Sequence, residues 1–151
     1  MEDGMKIFEC KTCGHIEFDA APAKCLVCRA PGSDFVENAA AIKSPANLAA
    51  LTDGDKKHIP QIVVVKQCGL IPGGGCTDVH VRVGEIEHVM QPAHFITHLD
   101  FYLDRKFISR IWLSPDACNP AAALHLKAKA GVVTVVENCN THGNWMAEAK
   151  L

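Results

Sequence analysis

Beyond about residue 58 the apolar positions follow the two-residue period of β-strands. Ile62-Val63-Val64-Val65 is a β-branched run, and Val79-His80-Val81-Arg82-Val83 alternates apolar with polar positions. Further strands are predicted over residues 95–103, 107–113, 124–128 and 132–136, the last being Val132-Val133-Thr134-Val135-Val136. Six or seven short strands in roughly a hundred residues predict a β-sandwich. The pattern upstream is different. Residues 38–54 are Ala-rich and read as a linker with a short helix, with Ser44 as N-cap, Pro45 in the first position, Leu48 and Leu51 inward and Asp53-Gly54 at the end; a wholly extended linker is the alternative. Residues 1–37 are too short for a core of their own. The predicted organisation is therefore 1–37, a linker over 38–54, and a β domain over 55–151.

Composition narrows the function. A chain of 151 residues, 48% hydrophobic, can bury a real core, yet its longest apolar runs are too short to span a bilayer. The opening Met1-Glu2-Asp3-Gly4 is acidic and precedes no apolar signal region, so a cytoplasmic protein is expected. A formal net charge of −2 argues against nucleic-acid binding by phosphate neutralisation. Residues 1–37 carry net −3 and the remainder net +1. Eight Cys and eight His are present. Without an export signal, such cysteines point to metal ligands or small buried residues rather than a disulfide framework.

Cys10-Lys11-Thr12-Cys13 and Cys25-Leu26-Val27-Cys28 form a CxxC…CxxC pair. Each half makes a tight turn whose amides face the sulfurs, and two such knuckles build a tetrahedral four-thiolate site. A segment this short must draw folding energy from the metal. Zinc and iron both suit four thiolates. The wording around them, Phe8 to His15 and Ala21 to Pro31 with Phe35 behind, resembles the rubredoxin-like domains attached to other iron proteins. That resemblance covers about residues 5–37 and implies an electron-transfer iron; a structural zinc ribbon is the alternative. His15 reads as a surface or knuckle residue, since four sulfurs complete the shell.

In the β domain, histidines fall at predicted strand ends. Lys57-His58-Ile59-Pro60 enters the first strand, His88-Val89-Met90 follows the second, and His94 opens the third. The last strand ends in Cys139-Asn140-Thr141-His142-Gly143-Asn144-Trp145. Four His and one Cys can therefore converge on one rim. These three motifs, in this order, resemble the superoxide reductases (desulfoferrodoxins and neelaredoxins), whose signatures read Glu-Lys-His-x-Pro, His-Pro-Met with a second His six residues after the first, and Cys-Asn-x-His-Gly-x-Trp. The resemblance covers about residues 52–148 and implies an immunoglobulin-like β-sandwich.

Carried over residue by residue, it implies a square-pyramidal iron with His58, His88, His94 and His142 equatorial and Cys139 axial. The sixth position would be open to superoxide, which takes one electron and two protons to give hydrogen peroxide. Lys57 matches the family's active-site Lys, which attracts the anion. An electron donor such as a rubredoxin or its reductase, and a homodimer, are also implied. Two departures stand out. Lys56 occupies the place of the family's Glu, the carboxylate expected to close the oxidised site; Asp53 or Asp55 is an alternative that the sequence leaves open. Val89 replaces the Pro of His-Pro-Met. His98 stands where an aromatic is usual and is expected at an edge rather than on the metal.

His80 and His125 alternate with apolar residues and are expected on an exposed face. Cys68 and Cys76 bracket Gly69-Leu70-Ile71-Pro72-Gly73-Gly74-Gly75, an inserted hairpin loop lacking the Lys-Ser/Thr of a phosphate loop. They read as free thiols, with a redox or metal pair as the alternative; Cys118 has no evident partner. Two rival functions remain. A cupredoxin-like electron carrier would use His94, Cys139, His142 and Met146, leaving His58 and His88 unexplained. A zinc ribbon on an immunoglobulin-like binding module would have no redox-active iron.

Overall fold

The structure, a computed structural model, describes residues 4–151; residues 1–3 of the predicted first segment lie outside them. The chain divides into two compact units, the first ending at Lys43 and the second running Ser44–Leu151. In the first, β1 (Ile7–Cys10) lies between β2 (Ile16–Phe18) and β3 (Phe35–Glu37) in an antiparallel sheet. A two-residue strand, β4 (Ile42–Lys43), closes the unit. The two CxxC turns repeat one hydrogen-bond pattern. Gly14 N donates to Cys10 O and Arg29 N to Cys25 O, while Cys10 N donates to His15 O and Cys25 N to Ala30 O. His15 is in the knuckle, as that bond shows, but its ring is fully buried and bonded to Glu17 rather than on the surface.

The second unit is a sandwich of two sheets. One contains β5 (Pro60–Val65), β6 (Thr77–Val83) and β9 (Ala121–Leu126), with β6 central. The other contains β7 (Ile96–Leu103), β8 (Lys106–Trp112), β10 (Val132–Cys139) and β11 (Gly143–Lys150), in the order β11-β10-β7-β8. The core forms between their inner faces. Val79, Val81 and Val83 of β6 and Leu126 of β9 meet Leu99 and Phe101 of β7 and Val133 and Val135 of β10. These positions lie two apart along each strand, as one-sided burial requires.

Two expectations are corrected. The linker helix does not form over residues 44–52, where Leu48 is 80% exposed. The helix, α1, is Asp53–His58, beginning where the predicted one was to end. Thr52 sets its start through a capping box: Asp55 N donates to Thr52 Oγ1, and Thr52 N donates to the Asp55 carboxylate. Asp53 and Asp55 in the first turn and Lys56 and Lys57 in the last both suit the helix dipole. Pro60 then forces Ile59 into an extended conformation. The second correction concerns the end of the chain. Cys139 and His142 do not close the last strand; they flank a turn into β11. The sequence of β11, Gly-Asn-Trp-Met-Ala-Glu-Ala-Lys, is poor in β-branched residues. Its strand character comes from an unbroken register with β10, from Val132 opposite Lys150 to Cys139 opposite Gly143.

Candidate metal centres

Three segments of the second unit deliver side chains to one point. His58 is the last residue of α1, His88 and His94 sit in the connection from β6 to β7, and Cys139 and His142 flank the β10–β11 turn. One ligand atom from each of these five lies within 4.8 Å of all the others. The four imidazoles form a closed ring. Centroids are 4.9 Å apart from His58 to His88, 4.7 Å to His94, 5.0 Å to His142 and 5.0 Å back to His58. Neighbouring rings are steeply inclined, between 68° and 85°. This is the arrangement of a square of nitrogens around a central cation.

Local bonds set each ring. His58 Nδ1 donates to Gly54 O and His88 Nδ1 to Val89 O, both at 2.7 Å, which directs each Nε2 lone pair inward. The Nε2 atoms of His88 and His94 are buried and make no hydrogen bond of ordinary geometry. Such atoms are costly unless something else satisfies them, and a metal does. His142 instead turns its Nδ1 inward, 3.6 Å from Cys139 Sγ. Trp145 stacks on His58 with centroids 5.2 Å apart. Asn140 fastens the turn to the His94 segment: Phe95 N donates to its Oδ1, its Nδ2 donates to Ala93 O, and its own N–H donates to Phe95 O. Gly143, at φ 79°, takes the left-handed conformation that the turn needs.

Cys139 approaches from the core side, only 1% exposed and packed with the sandwich interior. Burial alone would raise its thiol, but the His58 and His88 imidazoles and the Thr141 hydroxyl and amide outweigh it and hold the thiol at about 3, a thiolate. Glu137, two residues earlier on the same strand face, is fully buried. Burial and the neighbouring Cys139 raise its carboxyl well above the usual range. Nothing in the sequence singled out Glu137 or Asn140. The signal for Glu137 was one acidic residue in an otherwise apolar strand; Asn140 was visible only as part of the motif.

Lys57 is exposed on the last turn of α1 and Lys56 is half-buried. Gly84, just after β6, fits closely under this helix: a Cβ there would lie 2.4 Å from Lys56 O. Asp55 is tied to Thr52 N by the capping box, so its carboxylate is already committed. His98 is not at an edge: it lies on the internal strand β7, paired on both sides and largely buried, with its ring 5.0 Å from Trp112, and it is not in the metal-ligand group. His80 and His125 are exposed.

In the first unit the Cys10, Cys13, Cys25 and Cys28 sulfurs converge. Cys10 and Cys28 Sγ are 3.7 Å apart and Cys13 and Cys25 Sγ 3.6 Å. A tetrahedron with metal–sulfur bonds of about 2.3 Å has edges of about 3.8 Å, so the cluster fits a thiolate-bound metal. Val27 N and Cys28 N both donate to Cys25 Sγ. Against the effect of burial, these bonds lower Cys25 to about 7.

The desulfoferrodoxin family model matches residues 50–148. The desulfoferrodoxin of Nitratidesulfovibrio vulgaris is 30% identical over 152 residues, covering 99% of this chain and 100% of its own. A solved superoxide reductase from Nanoarchaeum equitans is 26% identical, with a TM-score of 0.56 over 73% of this chain and 99% of that one. The superoxide reductase from Treponema pallidum, at 23% identity and a TM-score of 0.56, covers 95% of this chain and 98% of that one and shares its fold.

Proposed function

Since the chain belongs to the desulfoferrodoxin family, we propose that it is a superoxide reductase, converting superoxide to hydrogen peroxide at an iron held by His58, His88, His94, His142 and Cys139. The observation that carries this is the closed ring of four imidazoles with a buried thiolate beside it. Iron bound there would supply one electron, and imidazoles with one thiolate accommodate both of its oxidation states. The protein's own residues do the rest. Cys139 occupies the core side, which leaves the outward side, where His142 is exposed, for the substrate. Lys57 attracts the anion and is the catalytic side chain of this reading. The cupredoxin-like alternative has no use for His58 and His88, which stand in the ring with the other two.

The two compact units support a reading as separate domains, with a four-cysteine iron or zinc in the first serving electron transfer or folding. The donor in this reading is one such as a rubredoxin or its reductase and the chain is a homodimer, both supported by the family resemblance, and it is cytoplasmic, supported by the acidic opening residues. No helix among the described residues is long and apolar enough to cross a membrane. The test is stopped-flow mixing of iron-loaded, reduced protein with superoxide. One peroxide per superoxide consumed, without oxygen release, is expected. Copper in place of iron, or ferrous protein that superoxide does not oxidise, would overturn the assignment.

A further inference from the structure

A third cluster of metal-ligating groups, sharing no residue with the other two, lies at the start of β6. Cys68 and Cys76 Sγ, an Asp78 carboxylate oxygen and His125 Nδ1 all lie within 4.8 Å of one another. The strands bring them there. Asp78 on β6 is the cross-strand partner of His125 on β9, and Cys76 precedes Asp78 by two, on the same face. The Gly-rich loop returns Cys68 to this corner, turning through Gly73 and Gly74 at φ 85° and 68°.

His125 Nδ1 faces three groups at once: Asp78 Oδ1 at 2.9 Å, Cys76 Sγ at 3.2 Å and Cys68 Sγ at 3.4 Å. An imidazole nitrogen has one in-plane hydrogen or one lone pair, so it cannot bond all three. Hydrogen-bond contacts run among all four groups, Cys68 included, but the single hydrogen or lone pair of Nδ1 cannot complete the three that meet on it. A cation at the centre of the four gives every one a role. Cys68 carries a second mark of a ligand: Leu70 N donates to its Sγ at 3.3 Å, as Val27 N does to Cys25 Sγ at 3.4 Å in the four-cysteine cluster.

We propose that Cys68, Cys76, Asp78 and His125 form a third metal site, one that takes a borderline-soft divalent cation of tetrahedral preference, Zn2+ foremost. Two thiolates, one imidazole and one carboxylate are the donor types that zinc accepts, and four protein ligands make a closed, structural shell. The iron ring lies beyond the other end of β6. Five steps from Asp78 to Val83, at about 3.3 Å each, put about 17 Å of strand between the two, and they share no ligand. The site's work is mechanical: it clamps the loop over residues 69–75 onto the sheet. The proposal does not depend on superoxide chemistry.

The test uses the full-length protein, loaded anaerobically with iron and then with Zn2+ or Co2+, and compares wild type with Cys68→Ser and His125→Ala. Cys68 is on a loop and His125 is exposed, and the iron absorption reports whether each variant keeps its fold. Wild type should hold one more equivalent of zinc than either variant. Its cobalt form should show thiolate-to-cobalt charge transfer beyond that of the four-cysteine cluster, lost in both variants. Equal zinc content in all three proteins would overturn the proposal. So would a Cys68–Cys76 disulfide, found by non-reducing peptide mapping, that persists in reductant-treated, zinc-exposed protein.

Discussion

The four-cysteine cluster and the four-histidine cluster are built by opposite means. The first is local. Two turns of the same design each carry a pair of thiols, and each turn's hydrogen bonds can form without the other. Its shell is complete with sulfur. The second is assembled from a helix end, an inter-strand connection and a turn, segments up to 84 positions apart from His58 to His142. Its shell combines two donor types and has one exposed edge. A complete thiolate shell suits holding a metal or passing an electron; an incomplete one suits binding a substrate. The local site can be rebuilt from a few residues, whereas the distributed one exists only when the sandwich does.

The sharpest way to break this contrast is Cys139→Ser. It should reduce superoxide turnover by more than the roughly 10–100-fold typical of disturbing a ligand's supporting partners, because it removes a ligand itself. Rapid-mixing kinetics checks this. The same variant has a second readout in metal-free protein. The Cys139 pKa falls from 9.0 to about 3 on folding, so its contribution to stability is complete above pH 9 and is lost as pH falls toward 3. Urea titrations across that range should show stability rising with pH in wild type and a flatter profile in the variant.

Cys13→Ser probes the other side. It should lose the metal of the first unit while leaving the iron content and superoxide reactivity of the second within about twofold, by metal analysis and the same kinetics. Loss of both metals together would contradict separate domains.

Smaller effects come from the two lysines. Lys57→Ala should slow the second-order reaction with superoxide by about tenfold and weaken its dependence on salt, because salt screens long-range attraction. Rates measured at several ionic strengths decide it. Lys56→Glu should restore the carboxylate that the family signature carries. The ferric absorption band should shift, and binding of small anions such as azide should weaken. Asp55 already accepts from Thr52 N in the cap of α1; an oxidised structure with the Asp53 or Asp55 carboxylate on the iron would refute a ferric site left open by Lys56.

Legibility followed the same division. The CxxC pairs announced a metal through spacing alone, and the structure brings their sulfurs together. The four His and one Cys of the other site were readable as candidates for one rim, although His58 arrives there from the end of α1 rather than from a strand. Which other groups would meet there was not readable. The Asn140 bonds depend on the β10–β11 turn, and β11 was hidden because its pairing with β10, not its composition, makes it a strand. The helix was displaced by one local contest: Ser44-Pro45 offered a start, but the Thr52 capping box satisfied two amides at once. The Asp78–His125 pairing needed the β6–β9 register, which no local pattern encodes.

The Asn140 fastening leaves a trace in solvent exchange. Phe95 precedes β7, yet its amide hydrogen is held by a side chain from another segment, and its carbonyl holds the amide of Asn140. Both hydrogens should therefore exchange with deuterium more slowly than those of neighbouring loop residues. In Asn140→Ala the Phe95 amide should lose its protection while the amide at position 140 can keep its partner. Mass-spectrometric exchange on a peptide spanning residue 95 thus reports how firmly the His94 segment is tethered, in protein with or without metal, and without any assay of turnover.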